Sequence, residues 1–89
     1  MKKFIRMQYE KNISLKDMQQ KARKENGLCC YRLEDKDKLF NEFIPQVCDN
    51  NEEIEIITFE GEIWGLCPEG YKVMPSKIID RRKYIYRRH

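Results

Sequence analysis

EIEIITFEGEIWGLCPEGYKVMPSKIID, residues 53–80, is the stretch whose reading decides the fold. It holds the single Trp, three of the four Gly and two of the three Pro, the composition of a small sheet with tight corners. From Glu53 to Phe59 the chain is rich in β-branched and aromatic residues, with Ile54 and Ile56 alternating against Glu53, Glu55 and Ile57, which predicts a strand. Glu60-Gly61 reads as the two-residue loop of a hairpin, because Gly reaches the positive φ that tight hairpins need. Cys67-Pro68-Glu69-Gly70 has Pro second and Gly fourth, the order a type I turn prefers. Tyr71 to Met74 then returns as a third strand, closed by Pro75-Ser76.

The run GYKVMPSKII, residues 70–79, resembles the end of an SH3 domain, where a strand reaches a Pro-Ser step, makes one 3₁₀ turn and leaves on an apolar pair. The matching positions are Gly70, Val73, Pro75, Ser76, Ile78 and Ile79, with Trp64 near the place where such domains carry a tryptophan. The resemblance implies an SH3-like curled sheet in the C-terminal half and covers under a third of the chain. Residues 1–52 lack the acidic-aromatic motif that opens an SH3 domain and lines its groove, so it does not imply recognition of proline-rich peptides.

Outward from this stretch, Met1 to Tyr9 alternates loosely around Phe4 and Ile5 and predicts a strand. Ser14 can cap a helix over residues 15–26, with Asp17 completing a box-like arrangement and Ile13 stapling onto Met18. Leu15, Met18 and Ala22 share a face, and Asn26-Gly27 stops the helix. Leu28 to Leu33 predicts a short strand. A second helix carries Leu39, Phe40, Phe43, Ile44 and Val47, and Pro45 should end or kink it at Ile44. Asp49-Asn50-Asn51 reads as a turn, and Arg82 to Arg88 alternates as a last strand, with Tyr84 and Tyr86 opposite Ile85. The expectation is a single α+β domain over residues 1–89: a small curled antiparallel sheet with two helices in its N-terminal half.

Composition agrees, since 40% apolar and 37% charged residues over 89 positions suit one thin-cored globular unit. No apolar run nears the roughly 20 residues of a membrane span. MKKFIRMQYEKN lacks the apolar centre of about 7 to 15 residues found in secretory signals, which predicts a cytoplasmic protein with no membrane partner. There Cys29, Cys30, Cys48 and Cys67 are expected as reduced thiols. A metal site is not expected, because Cys29 and Cys30 point to opposite faces of a strand and structural zinc sites favour Cys pairs two to four residues apart.

The net charge of +3 hides a partition. Residues 1–24 hold eight Lys/Arg against two acids, residues 25–70 three against twelve, and residues 71–89 seven against one. One reading pairs the basic last strand with Glu53, Glu55 or Glu62 across the sheet. A second takes Arg81, Arg82, Lys83, Tyr84, Tyr86, Arg87 and Arg88, with Lys16, Arg23 and Lys24 of the first helix, as a basic-aromatic surface for RNA or single-stranded nucleic acid. Catalytic residues are not expected: the single His is terminal, no Gly-rich phosphate loop occurs, and no cofactor motif is present. The leading expectation is a small non-enzymatic modulator or inhibitor that occupies a protein partner and uses its divided charge for orientation. In size and charge it is similar to compact phage- or mobile-element-type blockers of nucleic-acid-processing proteins. The alternative is the nucleic-acid-binding module.

Overall fold

The computed structural model of the chain describes residues 2–88; His89, the terminal histidine considered above, lies outside the described residues. The elements run β1 (Lys2–Gln8), α1 (Leu15–Glu25), β2 (Leu28–Arg32), a helical segment over residues 33–47, β3 (Glu53–Cys67) and β4 (Gly70–Ile85). The α+β class, with one antiparallel sheet and two helical regions, is the one expected.

Local chemistry accounts for α1. The Ser14 hydroxyl accepts the Asp17 N–H at 3.0 Å, Ile13 and Met18 lie in one core cluster, and Asn26 ends the helix in the left-handed region at φ 58°. Lys72 of β4 adds its ammonium to the Glu25 carbonyl at 2.6 Å, where the helix leaves carbonyls unpaired. The second helical region is less regular. It passes from a 3₁₀ turn through a short α turn into a wide π turn, Leu39–Phe43, and ends in Ile44–Val47. Pro45 therefore does not end the segment. In the wide turn the Ile44 N–H reaches the Leu39 carbonyl five residues back, which gives room to a prolyl ring that would clash in a regular helix.

The sheet closes as a barrel in the order β1-β2-β4-β3, every pair antiparallel. Here two sequence expectations are corrected. Glu60-Gly61 is not a hairpin loop and Pro75-Ser76 is not a closing turn; both lie inside long strands, so four expected strands are two. The 3₁₀ turn of the SH3 resemblance is likewise absent, since β4 runs unbroken through Pro75, Ser76, Ile78 and Ile79. The Gly and Pro residues mark bulges instead. The β3–β4 register slips between Thr58 and Phe59, between Glu60 and Gly61, and between Ile63 and Gly65, leaving Ile79, Ser76 and Trp64 as the additional residues. Each bulge bends its strand and raises the local twist, which curls this hairpin far enough to meet β1 with one half and β2 with the other. Gly61 sits opposite Pro75 with an ordinary backbone; a Cβ there would lie 2.5 Å from the Met74 carbonyl oxygen. Close approach of two strands requires the glycine. The Cys67–Gly70 turn is where the sequence places it, with Gly70 at φ 148°.

Two apolar clusters flank the sheet. Phe4, Met18, Leu28, Ile57, Phe59 and Val73 pack beneath α1, and Ile5, Met7, Leu39, Ile44, Ile54 and Ile56 pack beneath the 33–47 segment. Alternation along β1 and β3 divides residues between them, Phe4 and Ile57 to one side, Ile5 and Ile56 to the other. Tyr31, Phe43 and the Phe40–Tyr84 edge-to-face pair, 5.2 Å between centroids, extend the second cluster.

Candidate functional site

The bulge at Trp64 produces the most unusual surface of the molecule. β1 pairs with β3 only as far as Gly61, so among the described residues Glu62 to Cys67 pair with β4 alone and form an arm that β2 holds through residues 71–73 of β4 and that has one open edge. Because Trp64 is the additional residue, the alternation that should hide one side of the arm breaks there. Ile63, Trp64 and Leu66 all emerge, at 36%, 45% and 77% exposure. Trp64, the single tryptophan, is thus a surface residue of the arm and not part of either core cluster. Its indole N–H donates to a Glu62 carboxylate oxygen at 2.9 Å, which lays the ring along the arm. Glu60, Glu62 and Glu69 are the charged residues of positions 60–70, so the apolar arm is also acidic.

Beneath the arm's turn, β1 and β2 part. They pair only at Phe4 with Arg32 and Ile5 with Tyr31, and a cavity of about 250 Å³ opens beyond, with Arg6, Gln8, Lys21, Cys29, Cys30 and Glu69 among its lining. Arg6 donates to the Cys29 carbonyl at 3.2 Å, and burial holds its pKa below the ordinary arginine range. Its Nε, the Gln8 side-chain amide oxygen and one Glu69 carboxylate oxygen are shielded and have no hydrogen-bond partner among the described residues. Burial pushes the Cys30 thiol up to about 12; burial and then a hydrogen bond with Cys67 push Cys29 up to about 12. These thiols are protonated at neutral pH and are weak nucleophiles.

The basic-aromatic residues of the C-terminal strand are not gathered on one open face. Tyr84 lies against Phe40 and Tyr86 against the second cluster, so their rings face the helical segment. Arg81 turns inward, donating to the Glu55 carboxylate at 2.6 Å and the Ile13 carbonyl at 2.5 Å. Arg87 donates to the Asn51 side chain at 2.5 Å, and the Arg88 N–H donates to the Asn50 side chain at 2.8 Å. Arg82 and Lys83 are exposed, Arg82 pairing with Asp80 at 2.8 Å. Lys16, Arg23 and Lys24 are exposed on α1. The acidic candidates also separate: Glu55 is buried, Glu53 pairs with Lys11 at 3.3 Å, and Glu62 belongs to the arm. Sequence reasoning missed a basic depression rimmed by Lys2, Lys3, Arg32 and Lys36, whose members come from three elements. It also missed the exposed arm, because a bulge leaves no local mark distinct from a turn.

No protein-family model, no curated protein and no solved structure matches this chain.

Proposed function

We propose that the protein is a small non-enzymatic modulator that docks the β3–β4 arm onto a protein partner, into an apolar cleft with a basic rim. The single observation that carries this reading is the bulge-driven exposure of Ile63, Trp64 and Leu66 at one open strand edge. Trp is among the residues that most often anchor interfaces, and an apolar centre ringed by polar groups is how such anchors are set. Charge gives the partner's chemistry: an apolar arm flanked by Glu60, Glu62 and Glu69 is steered toward cationic surfaces. Nucleic-acid-processing proteins present surfaces of that kind, and occupying one would block it. Inward-facing Tyr84 and Tyr86 weigh against the alternative of base stacking on the last strand, since a ring packed on the core has no free face for a base.

The test is a capture experiment in extract of the source cell with the tagged protein, its Trp64→Ala/Leu66→Ser variant and its Arg82→Gln/Lys83→Gln variant, each with and without nuclease. The reading expects a partner that survives nuclease, is lost with the arm variant and is kept with the basic variant. Direct titration of the purified partner should shift the emission of Trp64, the single tryptophan. Loss of all partners on nuclease treatment, or a partner indifferent to the arm substitutions, would reject it. Self-association abolished by the same substitutions would reject it as well, making a second copy the occupant.

A further inference from the structure

We propose that Cys29, Cys67 and Glu69 form a zinc-binding site that ties the turn of the β3–β4 hairpin to β2. The two Sγ atoms and a Glu69 carboxylate oxygen all lie within 4.8 Å of one another. In a tetrahedral zinc site, with Zn–S about 2.3 Å and Zn–O about 2.1 Å, ligand atoms stand roughly 3.6 to 3.8 Å apart. Closing this set onto an ion takes movements of about 1 Å, within reach of side-chain rotation. Both sulfurs are free thiols, and thiolate with carboxylate is a donor set suited to Zn²⁺.

Three further features support a site over a chance grouping. One Glu69 carboxylate oxygen is shielded from water and has no hydrogen-bond partner among the described residues, so its lone pairs are available to a cation. Two thiolates and a carboxylate around a divalent ion leave one negative charge, and two cations lie near enough to offset it: Lys72 acts on Cys29, and Arg6 feels both Cys29 and Glu69. The turn is also stiff, since Pro68 fixes the backbone between Cys67 and Glu69 and Gly70 takes the positive φ that brings β4 back. Coordination displaces thiol protons, so the raised Cys29 pKa lowers affinity without preventing binding. Water would complete the fourth position. The site is independent of the docking reading, although it would hold the turn at the end of the arm in place.

Cobalt(II) chloride titrated into the fully reduced protein tests this directly, because thiolate coordination produces a charge-transfer absorption that zinc chloride then removes. The expected result is one Co²⁺ per chain, confirmed by native mass spectrometry. Cys29→Ser and Cys67→Ser should each abolish the band, while Cys48→Ser, in the second core cluster, retains it. Glu69→Gln should weaken binding by at least the roughly 10-fold that loss of an outer-shell partner causes. Circular dichroism of the metal-free variants separates lost ligands from lost folding, and Glu69→Gln decides the matter if a serine variant fails to fold. The proposal is overturned by a reduced wild-type protein that gives no band, by affinity unchanged in the Cys29 and Cys67 variants, or by Glu69→Gln binding as tightly as wild type.

Discussion

Replacing Arg81 with Met should be among the most damaging single changes on the polar side of the barrel. Glu55 is 3% exposed, and among the described residues its carboxylate accepts, besides Arg81, the Asn12 N–H at 3.4 Å. Arg81→Met keeps most of the side chain's volume and leaves that carboxylate buried without its counter-charge. Breaking a buried pair in this way costs about 3 to 5 kcal/mol. The Arg81 side chain is 28% exposed, so water screens part of the charge and the lower end, about 3 kcal/mol, is expected. At about 4 to 8 °C per kcal/mol for a domain of this size, the melting temperature should fall by roughly 12 to 24 °C. That is a large share of the roughly 4 to 13 kcal/mol that a chain of this length has in total. Urea unfolding should show a lower midpoint with an unchanged slope, and adding Glu55→Gln should recover part of the loss by removing the stranded charge. Arg82→Met is the control, since its pair with Asp80 is exposed and worth at most about 1 kcal/mol. A loss of under 1 kcal/mol for Arg81→Met, or equal losses for the two arginines, would refute the reasoning.

Trp64→Ala should change unfolding free energy by under about 1 kcal/mol, as at surface sites, while Phe59→Ala, fully buried, should cost about 3 to 5 kcal/mol; the reverse order in urea melts would place Trp64 in the core. Gly61→Ala should cost about 1 to 3 kcal/mol, because the new methyl meets a backbone oxygen that cannot swing aside, and a neutral effect in thermal melts would contradict the strand crossing. Cys30 holds its proton to about 12 in the folded chain against an ordinary value of 9.0. Between those values the unfolded state binds fewer protons, so stability should fall as pH rises through the window, and Cys30→Ala should flatten the decline relative to wild type. Gln at Arg82, Arg87 and Arg88 together should leave affinity for a single-stranded oligonucleotide at low salt, and its salt slope, little changed; a flattened slope would restore the nucleic-acid reading.

The parts of the fold legible in the sequence are those decided within a few residues. Ser14, Asp17 and Asn26-Gly27 delimit α1 because caps act on backbone groups three or four positions away, and Pro68-Glu69-Gly70 reverses the chain because a turn is four residues long. Alternation also marked Glu53 to Phe59 as a strand, and the charge partition foreshadowed the pairing of Arg81 with Glu55. Gly61 and Pro75 were read as corners for a physical reason: Gly and Pro announce a break in regular geometry without saying whether the chain reverses or only bulges. That is settled by the partner strand, since Gly61 and Pro75 face each other in one ladder.

Everything that follows from that ladder belonged to the tertiary structure alone. Trp64 is exposed because register, not hydrophobicity, assigns the additional residue of a bulge, and Glu55 is buried where the fold brings Arg81 and the Asn12 N–H onto its carboxylate. Cys29 meets Cys67 and Glu69 only because the curled hairpin returns its turn to β2, while Cys30, its neighbour in the sequence, is buried in the first core cluster. Local sequence determines local free energies, and its pattern of apolar residues selects the class of fold. The faces of a barrel are assigned by pairings between residues tens of positions apart, whose free energy is shared among strands and is written in no single stretch.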